Sequence, residues 1–329
     1  AKTPGIRFVS HAGKEIHLYN DCNALVVGVG NYDEWPSLPN AVKDARDVSW
    51  LLKRLGFKVT LITDPSSLEL KKALNEFAQN SGQVPDRGLV FYYAGNGETQ
   101  TLDDGTKLGW IIPRDCPLPQ TDPSGFEKLA ISTKLIQDYS QQIKSKHVLM
   151  FFDSSFSGDF FSLEPPVLKA ISENSALPVR QYLIAGRQNE PIPDQSMFKR
   201  SLVEALEGKA DVVHDGYVTG SELGIYITDR VVKYSRGYRH PQYGKSKIND
   251  LARGDFVFDL AEWEYASRAG THTAFSYGKC LSTDQANYGE LGRYFSACKS
   301  VFRVNSKKPI NVGSLTPNPW KLYNMHVNV

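Results

Sequence analysis

Residues 88–97 read GLVFYYAGNG and residues 147–158 read HVLMFFDSSFSG, and these two stretches are the strongest indication of the fold. Each begins with a short, nearly unbroken apolar run, which is typical of a strand buried on both faces of a parallel sheet. Small and polar residues end each run, at Gly95 in the first stretch and at Asp153 in the second. The sequence therefore predicts two internal strands that carry polar segments at their carboxyl ends.

Further strands and helices are predicted around these two stretches. The predicted strands are residues 24–29, 57–62, 179–185 and 254–258, the last as a closing strand, and the predicted helices are residues 40–55, 68–80, 198–206 and 220–234. Strands that alternate with helices indicate an α/β fold, a doubly wound and mostly parallel sheet flanked by helices. Ligands bind such sheets beyond the carboxyl ends of the strands, so the segments after the two apolar runs are the expected site.

The composition excludes several classes of protein. Hydrophobic residues make up 41% and charged residues 22% of the 329 residues, so the chain is not mostly disordered. The net charge is +2 and the sequence has no long basic block, which argues against a nucleic-acid partner. No window approaches the roughly 18 consecutive apolar residues that a membrane span needs. We therefore expect a cytoplasmic chain with no membrane partner.

The sequence offers no pattern for a metal or a cofactor. The four cysteines, at positions 22, 116, 280 and 298, lack the C-x-x-C spacing of zinc sites and are expected to be reduced thiols. No acidic loop has the ligand spacing of a calcium site. We therefore expect neither a metal nor a cofactor.

The texture of the sequence changes after Phe258. Residues 259–329 contain one short helical pattern and then a stretch rich in Gly, Asn, Ser and Pro. A length of 329 residues also favours two domains over one. We predict an N-terminal extension over residues 1–20, the α/β domain over residues 21–258, and a small irregular module over residues 259–329.

The segments after the two strands resemble those of the caspase-like cysteine peptidases, peptidase family C14, and within them the bacterial metacaspase and orthocaspase branch. Members carry Y-A-G-H-G after one strand and D-x-C-x-S-G after another, with the histidine as base and the cysteine as nucleophile. This chain has YAGNG at residues 93–97 and DSSFSG at residues 153–158. The resemblance covers residues 21–258 and includes ALVVGVGNY, LPNAVKDARDVSWLL, GWIIPRD, LIAGRQNEP, RHPQYG and GDFVF. It implies the caspase-like fold.

Both positions of the catalytic dyad depart from the family pattern. Asn96 stands at the histidine position and Ser155 at the cysteine position. An amide has no accessible basic form, and a hydroxyl must lose its proton during attack, whereas a thiol is already partly ionised. No other histidine follows a strand end, and His147 is expected to be a strand-edge residue. We therefore expect no peptide cleavage at a useful rate.

The resemblance also implies a binding pocket around the altered dyad. In the family, the backbone N–H groups of the nucleophile and of the glycine after the histidine hold the oxyanion, and these positions are Ser155 and Gly97 in this chain. Metacaspase-like members prefer Arg or Lys before the scissile bond, and the matching acidic candidates are Asp44 and Asp153. The alternative is that Asp153 caps a loop and that Asp44 is a solvated helix residue. Arg187 is expected to be structural and not a binder of acidic peptides.

The C-terminal module resembles part of a formylglycine-generating-enzyme-like module, which is related to C-type lectins. The matching stretches are AEWEYASRAGT at residues 261–271, SYG at 276–278, ANYG at 286–289 and VGSLTPNPWKLYNMHVNV at 312–329. The resemblance implies a surface that displays a ligand-binding site. We do not expect Cys280 and Cys298 to be the oxidising cysteine pair of the true enzymes. A small irregular appendage is the alternative.

Three functions stay open at this point. The first is a pseudopeptidase that binds a peptide or protein ligand without cutting it, with an Arg- or Lys-containing ligand implied by the acidic candidates. The second is an inactivated form of an Arg/Lys-specific cysteine endopeptidase, whose native gene would encode histidine and cysteine at the dyad positions. The third is residual hydrolysis through Ser155 and a water-mediated base.

Overall fold

The computed structural model describes residues 6–9, 15–157, 161–163, 171–188, 190, 196–260 and 317. The chain divides into two compact units, residues 1–259 and residues 260–329. Of the second unit, only residues 260 and 317 are described. The resemblance to a formylglycine-generating-enzyme-like module, together with Cys280 and Cys298, therefore lies outside the described residues. The predicted domain boundaries stay predictions.

The described residues of the first unit form short strands and helices in alternation. The strands are β1 (Arg7–Val9), β2 (Glu15–His17), β3 (Asp21–Gly28), β4 (Lys58–Thr63), β5 (Arg87–Ala94), β6 (Gly97–Thr101), β7 (Lys107–Ile111), β8 (Ile131–Ser132), β9 (His147–Ser155), β10 (Phe161–Leu163), β11 (Val179–Gly186), β12 (Tyr217–Thr219), β13 (Gln242–Ser246) and β14 (Val257–Asp259). The helices are α1 (Pro39–Arg54), α2 (Ser67–Glu76), α3 (Pro123–Leu129), α4 (Thr133–Gln142), α5 (Met197–Glu204) and α6 (Gly220–Tyr234). Wider π-helical turns over Phe77–Ser81 and Ala205–Lys209 extend α2 and α5, and short 3₁₀ turns cover Glu173–Ala176 and Asn249–Leu251.

Seven of the described strands form one sheet, in the order β10-β13-β11-β9-β5-β3-β4. Strands β4, β3, β5, β9 and β11 are parallel to one another, and β13 and β10 join the β11 edge antiparallel. The predicted fold, a mostly parallel sheet flanked by helices, is confirmed. The two stretches that most strongly indicate the fold are neighbouring strands, because β5 pairs with β9 from Gly88–His147 to Ala94–Asp153.

Side chains alternate between the two faces of the sheet along each strand, so an apolar run places apolar side chains on both faces. Helices cover both of these faces. On one face, Phe91 and Phe152 share an apolar core with Leu70 of α2. On the other face, the Phe151 ring contacts the Phe198 ring of α5 at a centroid distance of 6.4 Å, and α1 contacts β3 and β5. Strands β5 and β9 are therefore buried on both sides, as their unbroken apolar sequences predicted.

The β11 edge of the sheet differs from the prediction. The predicted closing strand begins only at Val257, as β14, and it pairs with β12 in a separate two-stranded sheet. The segment before it bonds to a side chain instead of a strand, since Phe256 N donates to Gln181 Oε1 at 2.7 Å. Strands β13 and β10 cover the edge instead. The β13 sequence, QYGKS, has no apolar run by which it could be predicted.

Two smaller expectations concern thiols and membranes. Cys22 and Cys116 are buried free thiols, as predicted for these two cysteines. Among the helices described, none combines the length and the apolar character that crossing a bilayer requires.

Candidate active site

The carboxyl ends of β5 and β9 bring the two sequence motifs into contact. Gly95 N donates to the Asp153 carbonyl at 3.4 Å. A Cβ placed on Gly97 would lie 2.5 Å from Ser154 Oγ and 3.3 Å from the Ser155 carbonyl oxygen. There is no room for a side chain at position 97, so only glycine allows the two segments to approach this closely.

Asn96 is buried, with 7% of its surface exposed, and its side-chain nitrogen and both backbone polar groups are already bonded. Nδ2 donates to the Pro36 carbonyl at 3.1 Å, and the backbone N–H donates to the Tyr32 hydroxyl at 2.7 Å. The Tyr93 hydroxyl donates to the Asn96 carbonyl at 2.8 Å. Within the described residues, no hydrogen bond joins Asn96 to Ser155. The side chain at the histidine position is therefore part of a loop-holding network and supplies no base.

Ser155 is the last residue of β9, and its hydroxyl is bonded to a cation. Arg239 Nη2 donates to Ser155 Oγ at 2.7 Å. Both groups pack against Gly186 of β11, where a Cβ would lie 2.7 Å from Arg239 Nη2 and 3.0 Å from Ser155 Oγ. A guanidinium can only donate hydrogen bonds, so Arg239 cannot take the proton of the hydroxyl.

Arg239 is a buried charge with few partners. The residue is 3% exposed, and its Nε atom has no hydrogen-bond partner in the part of the chain that the structure describes. Burial lowers the pKa of the guanidinium below its ordinary value, although the charges of Asp153 and Glu190 oppose this. Among the described residues, no carboxylate forms an ion pair with Arg239.

Glu190 lies close to the same glycine but is bonded to other groups. It accepts hydrogen bonds from His240 Nδ1 at 2.8 Å, from His240 N at 2.9 Å and from Arg187 N at 3.0 Å. Although burial opposes it, these bonds hold the pKa of Glu190 below its ordinary value. Arg187 thus contributes its backbone N–H to this part of the site.

Asp153 is held by two hydroxyl groups. The Tyr92 hydroxyl donates to Asp153 Oδ2 at 3.0 Å, and the hydroxyl of Ser196, the N-cap residue of α5, donates to the same oxygen. Burial raises the pKa of Asp153 to about 6 against the hydrogen bond from Ser196, and the nearby charge of Asp44 also raises it. Asp153 is therefore charged at neutral pH and becomes protonated in mildly acidic solution.

Asp44 is buried on α1 and already has a cationic partner. Lys199 Nζ, from α5, lies 3.0 Å from Asp44 Oδ1 and 2.9 Å from Asp47 Oδ2. Burial raises the pKa of Asp44, although Lys199 opposes this. The carboxylate is thus not solvated, and an internal ion pair offsets its charge.

A small cavity brings Asp44 and Asp153 together. Its walls are residues 37–41 at the start of α1, Asp44, the ends of β5 and β9, and Ser196. It leaves about 70 Å³ for the centres of water-sized molecules, whereas one water needs roughly 10–15 Å³. The cavity therefore has room for the end of a polar side chain. Within the described residues, no cluster of His, Cys, Asp and Glu could hold a metal ion.

Sequence reasoning missed three residues of this site, namely Arg239, Glu190 and Lys199. Arg239 is 84 residues from Ser155, and no spacing rule connects the two positions. A signal did exist for Glu190, because it closely follows the carboxyl end of β11, where parallel sheets bind ligands. His147, by contrast, lies at the amino end of β9, where it was predicted.

Comparison with known proteins identifies the family. A family model described as Caspase domain, peptidase C14, matches residues 22–277. This chain therefore belongs to the caspase-domain family, and the predicted resemblance to peptidase family C14 is confirmed.

The chain is similar to curated proteins and to solved structures. Human mucosa-associated lymphoid tissue lymphoma translocation protein 1 is 32% identical over 104 residues, which are 31% of this chain, and the mouse homolog is 31% identical over the same share. This chain spans 12% and 11% of the length of these two relatives. Protein GSU0716 of Geobacter sulfurreducens has a TM-score of 0.47 and 13% identity over 71% of this chain and 97% of that one. The Drosophila initiator caspase Dronc has a TM-score of 0.45 and 11% identity over 73% of this chain and 84% of that one.

Proposed function

We propose that this chain is a pseudopeptidase, a caspase-domain protein that binds a peptide or protein ligand and does not cleave it. The observation that carries the proposal is the 2.7 Å hydrogen bond from Arg239 Nη2 to Ser155 Oγ. The hydroxyl at the nucleophile position is bonded to a donor, and the amide of Asn96 replaces the base. Within the described residues, Ser155 therefore has no group to which it could pass its proton during attack.

The loss of rate that these substitutions imply is large. General-base catalysis contributes roughly 10²- to 10⁴-fold to a reaction rate. In subtilisin, removal of the nucleophile lowers turnover by about 10⁶-fold. Against these losses, the two segments of the site are closely packed, because a Cβ on Gly97 would lie 3.3 Å from the Ser155 carbonyl oxygen. A closely packed site that lacks the base and the thiol of the dyad supports binding without cleavage.

The cavity at Asp44 and Asp153 supports a ligand that contains Arg or Lys. Lys199 offsets the charge of Asp44, so Asp153 supplies the carboxylate that is not ion-paired within the described residues. Above a pH of about 6 this carboxylate is charged. A guanidinium or ammonium group that enters the cavity would gain a charge-assisted hydrogen bond to it.

The alternative function, an inactivated form of an Arg/Lys-specific cysteine endopeptidase, has one observation in its favour. Arg239 is a cation at hydrogen-bond distance from position 155. Such a neighbour would stabilise the thiolate of a cysteine at that position, and thiolates are the reactive form of cysteine. The environment of Ser155 is thus compatible with an ancestral or native nucleophilic thiol.

The absence of cleavage is tested with fluorogenic peptides that carry Arg, Lys or Asp before the scissile bond. We expect the unaltered chain to release no more fluorophore than its S155A variant, because neither has a base or a thiol. A serine-directed phosphonate is expected to leave Ser155 unlabelled. Turnover in the unaltered chain that disappears in S155A, or a phosphonate adduct on Ser155, would contradict the proposal.

The double variant N96H/S155C distinguishes the proposal from its alternative, with N96H and S155C as single-variant controls. A pseudopeptidase whose Asn96 and Arg239 have been fitted to other partners is expected to regain little cleavage. Fast cleavage by the double variant alone would favour the inactivated endopeptidase. Cleavage after Arg or Lys would then support Asp44 and Asp153 as pocket residues, and cleavage after Asp would refute them.

A further inference from the structure

We propose that Arg239 and Ser155 form a receptor for the free carboxylate of a peptide that ends in Arg or Lys. The inference rests on the proposed function and names its ligand. Such a peptide is the amino-side product of cleavage after a basic residue. The reaction that supplies the ligand is therefore hydrolysis by another peptidase with that specificity.

The first argument is the unbalanced charge of Arg239. Burial of a charge is costly unless the charge is paired and hydrogen-bonded. Arg239 is 3% exposed, forms no ion pair among the described residues, and leaves its Nε without a partner there. Within the same part of the chain, its side chain donates one hydrogen bond, to the neutral oxygen of Ser155. An anion from a ligand would supply the missing partner.

The second argument is the match between these donors and a carboxylate. A guanidinium presents planar N–H groups that fit the two oxygens of a carboxylate. Ser155 adds another donor, because its oxygen accepts from Arg239 and its own proton remains to be given to an acceptor. Because the two side chains are within hydrogen-bond distance of each other, both can donate to one acceptor group that a ligand brings beside them.

The third argument is the position of this pair relative to the cavity. Asp153 lines the cavity, and Ser155 follows it by two residues on β9. A regular strand rises about 3.3 Å per residue, so the two positions lie at most about 6.6 Å apart along β9, whose pairing is irregular here. Asp153 and Arg239 are close enough for the charge of each to shift the pKa of the other. One terminal basic residue can therefore span both, with its side chain at Asp153 and its carboxylate at Arg239.

A free carboxyl terminus fits this site better than a residue inside a chain. An internal residue would present an uncharged amide carbonyl to Arg239 and would leave the guanidinium without a carboxylate in direct contact. Glu190 does not take this role, because its carboxylate is held by His240 and by the backbone of Arg187. The negative charge of Glu190 weakens the attraction between Arg239 and a ligand carboxylate, but Glu190 does not itself bond to Arg239.

The inference is tested by calorimetric titration of the full chain with three hexapeptides. The first is Gly-Gly-Ser-Gly-Gly-Arg with a free carboxylate, the second is the same peptide with a C-terminal amide, and the third ends in Ala with a free carboxylate. We expect the Arg acid to bind roughly tenfold or more tightly than the Arg amide, since hydrogen bonds to charged groups are the strong ones.

Two variants separate the parts of the site, and a third is the matched control. R239Q is expected to remove the preference for the acid over the amide, and D153N is expected to remove the preference for Arg over Ala while the acid preference persists. The control, R200Q, changes an arginine whose side chain is 64% exposed and should leave both preferences unchanged. If R239Q does not fold, S155A takes its place, because it removes the second donor.

The outcomes distinguish this inference from the proposed function. Equal binding of the Arg acid and the Arg amide to the unaltered chain would overturn the carboxylate receptor and would leave the peptide-binding function in place. No binding of any of the three peptides would contradict both. If the peptide acid that ends in Ala binds as tightly as the one that ends in Arg, the carboxylate receptor stands, but its ligand does not need a basic last residue.

Discussion

Ser155 and Arg239 show how one pair of side chains changes the chemistry of a position. A hydroxyl beside a base is a nucleophile, whereas a hydroxyl beside a guanidinium is an acceptor that has a proton to offer. The hydrogen bond from Arg239 Nη2, at 2.7 Å, is of the second kind. At the scale of the residue, the site is therefore built to receive negative charge.

Asp153 gives the site a dependence on pH that unfolding can measure. Its folded pKa is about 6, above the value of 3.8 for an unperturbed aspartate. Between these values the folded chain holds a proton that the unfolded chain has lost, so this residue lowers the free energy of unfolding as the pH rises from about 4 to 6. D153N cannot titrate, and we expect its stability relative to the unaltered chain to increase over this range.

Urea denaturation at pH values from 4 to 8 measures this difference. The gap between D153N and the unaltered chain should change below pH 6 and be constant above about pH 7, where Asp153 is charged in both states. A gap that is constant over the whole range would show that the pKa of Asp153 is not raised.

At the scale of the elements, a local irregularity places Ser155. Strands β9 and β11 pair regularly up to Phe152–Ile184, and the next pair is Ser155–Gly186, so β9 has one extra residue at this point. A β-bulge re-aims side chains and is frequent beside active sites. The bulge and the absent side chain of Gly186 together allow Ser155 Oγ and Arg239 Nη2 to meet.

Gly97 tests whether the turn after β5 must lie against β9. In G97A, the new Cβ would lie 2.5 Å from Ser154 Oγ and 2.8 Å from the Phe156 ring, so one of the segments has to move. Overpacking of this kind costs about 1–3 kcal/mol. We expect G97A to lower the free energy of unfolding by such an amount and also to weaken peptide binding.

The matched control for this variant is G105A. Within the described residues, Gly105 has nothing within 4 Å of its Cβ position but has a φ of +83°, so alanine there introduces only backbone strain. We expect G105A to cost about 1 kcal/mol without an effect on binding. Unchanged peptide binding by G97A would show that the position of this turn against β9 does not affect the binding site.

At the scale of the whole domain, the two ends of the parallel strands have different tasks. The carboxyl ends carry the polar groups of the candidate site. At the amino end of β9, His147 Nδ1 accepts from the Tyr19 hydroxyl at 2.6 Å and Nε2 donates to the Leu177 carbonyl at 2.9 Å. Val257 N in turn donates to the Tyr19 hydroxyl at 3.1 Å. This end therefore ties distant segments of the chain together.

His147 makes the domain sensitive to acid. Burial lowers its pKa from 6.5 to about 3. Below pH 6.5, His147 is therefore protonated in the unfolded chain but not in the folded chain. The free energy of unfolding consequently decreases as the pH falls from 6.5 towards 3. In H147Q the amide cannot titrate, so we expect a smaller loss of stability between pH 6.5 and 4, from a lower starting value at pH 7. Urea denaturation tests this, and identical pH profiles of the two chains would contradict it.

The strands that meet at the site were predictable, and the edge of the sheet was not. Strands β5 and β9 are buried on both faces. Burial on both faces requires consecutive apolar residues, and such a run is visible in the sequence. The β13 segment QYGKS is stabilised by its pairing with β11, and no pattern in the local sequence predicts this pairing. The helix over residues 220–234 was predicted with the bounds that α6 has, because the signals for a helix are local in sequence.

The α/β fold, the caspase-domain resemblance, and the two positions at which a base and a thiol are replaced could all be predicted from the amino-acid sequence. These follow from local periodicity and from short motifs whose residues are neighbours along the chain. The tertiary structure alone decided that Arg239 bonds Ser155, that Lys199 pairs with Asp44, and that Gly186 leaves room for both partners of the first bond. Such contacts join segments that are distant in sequence, and electrostatic pairing depends on distance in space.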